Sequence, residues 1–160
     1  MRTLLSLALA ACLAWAVAPA AYADDRAVVE AFYSQLLSDP NAADLPDRVR
    51  KVVVEDWVSD PQPRGGPGAE GMIKTLRFFG QRVPDLKWSP QEILQVGNRY
   101  VVRSIATGTP AGKFFGKPAK GSFKIMTIDI HTVENGKIVK SYHVEDWARA
   151  MRQVGPKDKH

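Results

Sequence analysis

The stretch Thr127-Ile128-Asp129-Ile130-His131-Thr132-Val133-Glu134-Asn135-Gly136-Lys137-Ile138-Val139-Lys140-Ser141-Tyr142-His143-Val144-Glu145-Asp146-Trp147 decides the architecture of this chain. Asn135-Gly136 is the dipeptide that best supplies positive φ at both centres of a two-residue hairpin turn, and β-branched residues flank it on both sides. Ser122 to Val133 and Lys137 to Glu145 are therefore expected as paired antiparallel strands. A two-residue turn sets the register: Glu134 opposite Lys137, Asp129 opposite Tyr142, Thr127 opposite Val144, Ile125 opposite Asp146. This count projects Asp129, Tyr142 and Asp146 from one face. It puts Met126, Ile128, Ile130, Ser141, His143 and Glu145 on the other, so His143 is expected on the convex outer face. A bulge in either strand would break the count.

Upstream, the apolar period is helical. Asp24-Asp25 can cap a first helix whose stripe is Val28, Val29, Phe32, Tyr33, Leu36 and Leu37, ending at Asp39-Pro40. Pro46 opens a second helix expected to reach Asp56-Trp57. Residues 59–68, rich in proline and glycine, form a loop, and Ala69 to Arg82 form a third helix. The period then becomes two. Trp88 to Val96 reads as a strand that Pro90 confines to an edge, and Arg99 to Thr107 as its neighbour. Pro110 to Gly121 is a loop, and Trp147 to Val154 a final helix. Helices first and a strand meander second mean an α+β domain, with helices packed on one face of a curved antiparallel sheet.

The chain has 160 residues and 45% apolar composition, enough for one domain with its own core. Met1-Arg2, the apolar run Leu4 to Val17 and the small-x-small site Ala21-Tyr22-Ala23 form a secretory leader pattern. Cleavage is expected after Ala23, giving an exported, periplasmic or secreted protein. The domain is then 24–155, with a basic tail at 156–160. Leu9-Ala10-Ala11-Cys12 offers a lipoprotein alternative, disfavoured because the residues after Cys12 stay apolar. Cys12 is the sole cysteine, so the mature chain has no disulfide, thiol nucleophile or thiolate metal site. The net charge of +5 lies largely in the C-terminal basic residues and is not interleaved with aromatics, which argues against nucleic acid as a partner. No stretch of the mature region reads as a stable membrane span.

Asp146 is the first candidate for chemistry. An acid where a strand runs out into an apolar pocket has its ionised form disfavoured, and can then exchange protons with carbon acids near neutral pH. The same residue can cap the final helix. Tyr142 and Asp129 share its expected face and are candidates to contact a ligand. Trp57, Trp88 and Phe79 can line a pocket for a flat apolar molecule, and Ser59 can reach its rim.

An ordered set of motifs accompanies these residues. It comprises Gly68-x-x-Gly71, Val83-Pro84-Asp85-Leu86, Thr107-Gly108-Thr109-x-x-Gly112-x-Phe114-x-Gly116, Asn135-Gly136-Lys137-Ile138-Val139, Asp146-Trp147 and Gln153-Val154-Gly155. Over residues 26–155 the chain resembles the SnoaL-like polyketide cyclase, or ester cyclase, family of the NTF2-like superfamily. The resemblance implies a cone-shaped α+β barrel with a deep apolar pocket for a small hydrophobic ligand. It also implies an intramolecular aldol closure that uses no metal or organic cofactor. The family's acid/base aspartate, near the end of the last strand, matches Asp146. Two usual histidines are replaced, by Pro110 in the glycine loop and by Asp60 after the second helix.

Two other readings share the fold. One is a non-catalytic binding protein for a small ligand. The other is a ketosteroid isomerase-like or epoxide hydrolase-like enzyme; the hydrolase chemistry requires Arg103 inside the pocket between two aspartates. A homodimer through the outer sheet face, at Ile128 and Ile130, is also expected.

Overall fold

The computed structural model describes residues 20–155, with side chains from Asp25 onward. The leader with its Cys12 and the tail at 156–160 lie outside the described residues, apart from helical backbone that begins at Ala20. Helix α1 (Ala20–Ala31) runs into a π-helical segment, Phe32–Leu37. Helix α2 (Leu45–Val52) leads directly into strand β1 (Val53–Asp60), and α3 (Gly68–Arg82) follows. Then come β2 (Lys87–Val96), β3 (Arg99–Gly108), the short hairpin β4 (Lys113–Phe114) and β5 (Lys117–Pro118), β6 (Phe123–Glu134), β7 (Lys137–Glu145) and α4 (Trp147–Val154).

The long strands form one curved sheet in the order β1-β7-β6-β3-β2. Strand β2 is an edge, where the N–H that Pro90 lacks is not needed, and the pairing slips between Pro90 and Glu92. Strand β1 corrects the sequence reading. The second helix stops at Val52, and Val53 to Asp60 add a strand parallel to β7. Val53 and Trp57 are buried by that pairing, a larger gain than another helical turn of β-branched residues would give. The sheet is therefore mixed rather than antiparallel. It is also open, with two edges, rather than closed into a barrel.

Helices α1 to α3 cover the inner sheet face. Tyr33, Leu36, Leu45, Val49, Val102, Ile125 and Ile138 are fully buried between the layers. Gly71 lets the loop before α3 close on the helix, since a Cβ there would lie 1.8 Å from the Gly66 carbonyl oxygen.

The β6–β7 turn has positive φ at Asn135 (51°) and Gly136 (71°), and Glu134 pairs with Lys137 as expected. Three residues on, the count fails. Val133 faces Ile138 but Thr132 faces Lys140, so Val139 is an unpaired extra residue. This β-bulge shifts everything beyond it by one place, and a one-place shift exchanges the two faces. Asp129 therefore faces His143, not Tyr142, and Thr127 faces Glu145. Ser141, His143 and Glu145 turn inward beside Asp129 and His131, while Tyr142 and Val144 turn outward with Met126, Ile128 and Ile130.

Candidate functional site

A cavity of about 250 Å³ lies between the helices and the inner sheet face. Its walls are mostly apolar: Phe32, Leu37, Trp57, Met72, Leu76, Phe79, Leu86, Trp88 and Trp147. Pro61 to Arg64, from the loop after β1, complete its rim. Its polar groups come from the two central strands: Asp129 from β6, and Ser141, His143 and Glu145 from β7.

Four of the residues singled out from sequence meet here. Asp129, Trp57, Trp88 and Phe79 all line the cavity. Trp88 donates its indole N–H to Thr127 Oγ1 at 3.0 Å, and Phe79 stacks on Trp147 at 5.6 Å between ring centroids. The other three are placed elsewhere. Tyr142 lies on the outer sheet face beneath the Lys140 ammonium, 4.6 Å from its ring centroid. Ser59 turns back to the Pro61 carbonyl at 3.0 Å. Asp146 is exposed at the start of α4, where its carboxylate accepts from the Arg149 N–H at 2.9 Å. It also fixes the first turn from which Trp147 reaches the cavity.

Asp129 is 5% exposed. Burial pushes its carboxyl up, the Tyr33 hydroxyl holds it down, the Glu145 charge raises it and the His143 charge lowers it; the outcome is about 7. Tyr33, carried by the π-helical segment, donates to Asp129 Oδ2 at 2.9 Å. Its own proton is held firmly, because burial and the Asp129 carboxylate both raise the phenol well above its ordinary value.

His143 sits across from Asp129 with both ring nitrogens engaged by acceptors. Nδ1 lies 2.7 Å from Glu145 Oε1 and Nε2 lies 3.0 Å from the Pro61 carbonyl oxygen. Only the doubly protonated ring donates to both. Burial disfavours that cation, but the hydrogen bond and charge of Glu145, the Pro61 carbonyl and the Asp129 carboxylate outweigh it and lift His143 to about 9. His131 is the opposite case. Fully buried next to Asp129, it is pushed down to about 3 by burial and by the nearby His143 charge, and it stays neutral. The cavity thus presents a carboxyl that titrates near neutrality beside a fixed imidazolium. Its low polarity makes both charges act strongly on anything bound.

Sequence reasoning placed His143 and Glu145 outside and so passed over both. The available signal was Ile138-Val139, two adjacent apolar residues that break the alternation of β7. Arg103 sits on the outer face of β3, paired with Glu92 at 3.3 Å, so the Asp-Arg-Asp cluster of an epoxide hydrolase-like site does not form around it. Among the described residues, no group of three or more His, Cys, Asp or Glu is arranged to hold a metal ion, and no helix is long and apolar enough to cross a membrane.

Residues 27–154 match the family model of the SnoaL-like polyketide cyclases. No curated protein matches the chain significantly. Among solved structures, TsrD from Streptomyces laurentii is similar at 23% identity, covering 82% of this chain and 94% of its own, with a TM-score of 0.71. IdmH from Streptomyces antibioticus is similar at 22% identity, covering 81% and 96%, with a TM-score of 0.67. A SnoaL-like polyketide cyclase from Agrobacterium tumefaciens is similar at 20% identity, covering 81% and 96%, with a TM-score of 0.65. At these identities the likeness is one of fold.

Proposed function

The chain belongs to the SnoaL-like polyketide cyclase family, and from that premise we propose that it is an exported enzyme that closes a ring on a small, largely apolar keto ester by acid/base chemistry without a cofactor. The observation that carries this reading is the pairing of Asp129, held near neutral pKa, with the His143 imidazolium across one apolar cavity. Ionised Asp129 removes a proton from the carbon α to a carbonyl, and the C–H electron pair passes into an enolate. The His143 charge offsets the developing anion; its N–H groups remain on Glu145 and Pro61. The enolate carbon attacks the second carbonyl of the same molecule. A C–C bond forms, and the alkoxide that results takes the proton back from Asp129. Asp146 enters this reading as the cap that seats Trp147 against the cavity. Export rests on the leader at residues 1–23.

The test is α-hydrogen exchange of an aryl methyl ketone in D2O, followed by proton NMR. Asp129→Asn is expected to slow the protein-catalysed exchange by at least about 100-fold, the usual scale of a positioned general base. Exchange that survives Asp129→Asn but is abolished by Asp146→Asn would transfer the role to Asp146. A ketone that binds with no exchange above buffer would favour a non-catalytic binding protein.

A further inference from the structure

Behind the cavity wall, Tyr33 and His131 connect Asp129 to a second point on the same wall, Ser141. Tyr33 Oη lies 2.9 Å from Asp129 Oδ2 and also 2.9 Å from His131 Nε2. His131 Nδ1 lies 2.8 Å from Ser141 Oγ, and the Trp57 indole N–H donates to that same oxygen at 3.1 Å. Tyr33 and His131 are fully buried, whereas Asp129 and Ser141 both line the cavity. His131 faces Ser141, and Asp129 faces His143, so the two ends occupy diagonal cross-strand positions about 7–8 Å apart.

The donor count fixes the direction of this chain. Trp57 can only donate, so Ser141 Oγ accepts from it and its own hydrogen goes elsewhere. With Asp129 ionised, Tyr33 must donate to the carboxylate. Its oxygen then accepts from His131 Nε2–H, which leaves Nδ1 bare to accept from the Ser141 hydroxyl. Every hydrogen points toward Asp129. With Asp129 neutral and its proton on Oδ2, every hydrogen reverses: Tyr33 donates to Nε2, His131 carries its proton on Nδ1 and donates to Ser141, and the Ser141 hydrogen turns into the cavity. One proton has moved between Asp129 and the cavity at Ser141, while His131 has changed tautomer and not charge.

We propose that Tyr33, His131 and Ser141 form a proton relay joining Asp129 to a second proton-exchange point in the same cavity, the Ser141 hydroxyl, so that a bound carbonyl compound can exchange protons at two separate atoms. The proposal rests on the acid/base reading of Asp129. Ser141 is the group that touches the ligand, and Tyr33 and His131 act through it and through Asp129. The relay needs His131 neutral in both states, and its burial keeps it so. The charged groups that act on the relay are Glu145 and His143 from β7, with Arg64 farther out at the cavity rim; from β3, Tyr100 faces His131 and Ser104 meets the Tyr33 hydroxyl. His143, lifted to about 9, keeps its charge while Asp129 titrates at about 7, so the reversal is driven by Asp129.

The experiment uses ligand-free protein with 15N-labelled histidine and needs no turnover, so it is separate from the test of the reaction itself. Ring 15N shifts report which nitrogen of His131 carries the proton. The expected result is Nδ1–H at low pH and Nε2–H at high pH, with a midpoint near Asp129's own titration at about 7. Asp129→Asn and Tyr33→Phe are each expected to abolish the switch. If Tyr33→Phe does not fold, Ser141→Ala serves; with no acceptor beside Nδ1, it should hold His131 as Nε2–H throughout. A single His131 tautomer across about pH 5 to 9, a His131 cation in that range, or a switch that persists in Tyr33→Phe or Ser141→Ala would each overturn the relay.

Discussion

Replacing Glu145 by Gln removes the charge that sustains the His143 imidazolium while keeping the shape of the side chain. The size of the effect follows from the titration. His143 is lifted from an ordinary 6.5 to about 9, and at about 1.4 kcal/mol per pKa step this corresponds to roughly 3 kcal/mol of folding free energy. The folded pKa is raised, so this stability is fully present below pH 6.5 and is lost as pH climbs through 9. Two other buried groups act at lower pH. Asp129, raised to about 7, costs stability as pH rises from about 4 to 7, and His131, lowered to about 3, returns a similar amount from about 3 to 6.5. Those two nearly offset each other, which leaves His143 to decide the alkaline limb. Denaturant unfolding of the wild-type protein should therefore show stability falling by roughly 3 kcal/mol between about pH 6.5 and 9. In Glu145→Gln the pH 6 value should drop by roughly 3 kcal/mol and the alkaline slope should flatten. The histidine ring shifts of His143 should show its titration moving down toward 6.5 or below. A wild-type His143 that titrates near 6.5, or an alkaline slope that Glu145→Gln leaves unchanged, would refute the reasoning.

Asp146→Ala removes the single side-chain cap of α4 and is expected to cost about 1 kcal/mol by denaturant unfolding. Val144→Glu puts a charge among the exposed Met126, Ile128 and Tyr142 of the outer sheet face. If copies of the chain pair through that face, light scattering of the wild type should give a dimer and of the variant a monomer. N-terminal sequencing of the protein recovered from the exported fraction should begin at Asp24, in keeping with cleavage after Ala23.

The residue pattern was a good guide wherever one physical signal ruled alone. Asn135-Gly136 located the hairpin because few other pairs accept positive φ twice, and Pro90 marked an edge because an inner strand needs its N–H. It misled where two signals competed. Val52 and Val53 continue the helical stripe of Val49 and also suit a strand, and only the partner β7, distant in sequence, selects the strand from Val53 onward. In β7 the usual rule that apolar side chains turn inward favours Tyr142 and Val144. The protein instead keeps Ser141, His143 and Glu145 inside, because each finds a partner there in His131, Pro61 or a neighbour on its own strand. The aromatic lining at Trp57, Trp88 and Phe79 was legible from side-chain size alone. The partnership of Asp129 with His143 was not, because it depends on one unpaired residue.

That residue, Val139, makes the hairpin a sequence with two alternative inner surfaces. One is polar and ionisable (Ser141, His143, Glu145), and the other would be Lys140, Tyr142 and Val144. A loss or gain of one codon between the turn and Ser141 exchanges them wholesale without altering any residue of the cavity itself. Relatives that share this fold can thus diverge in chemistry through a length change in a strand. Alignments that carry the gap past Glu145 instead would pair the wrong residues across every position from Lys140 to Glu145.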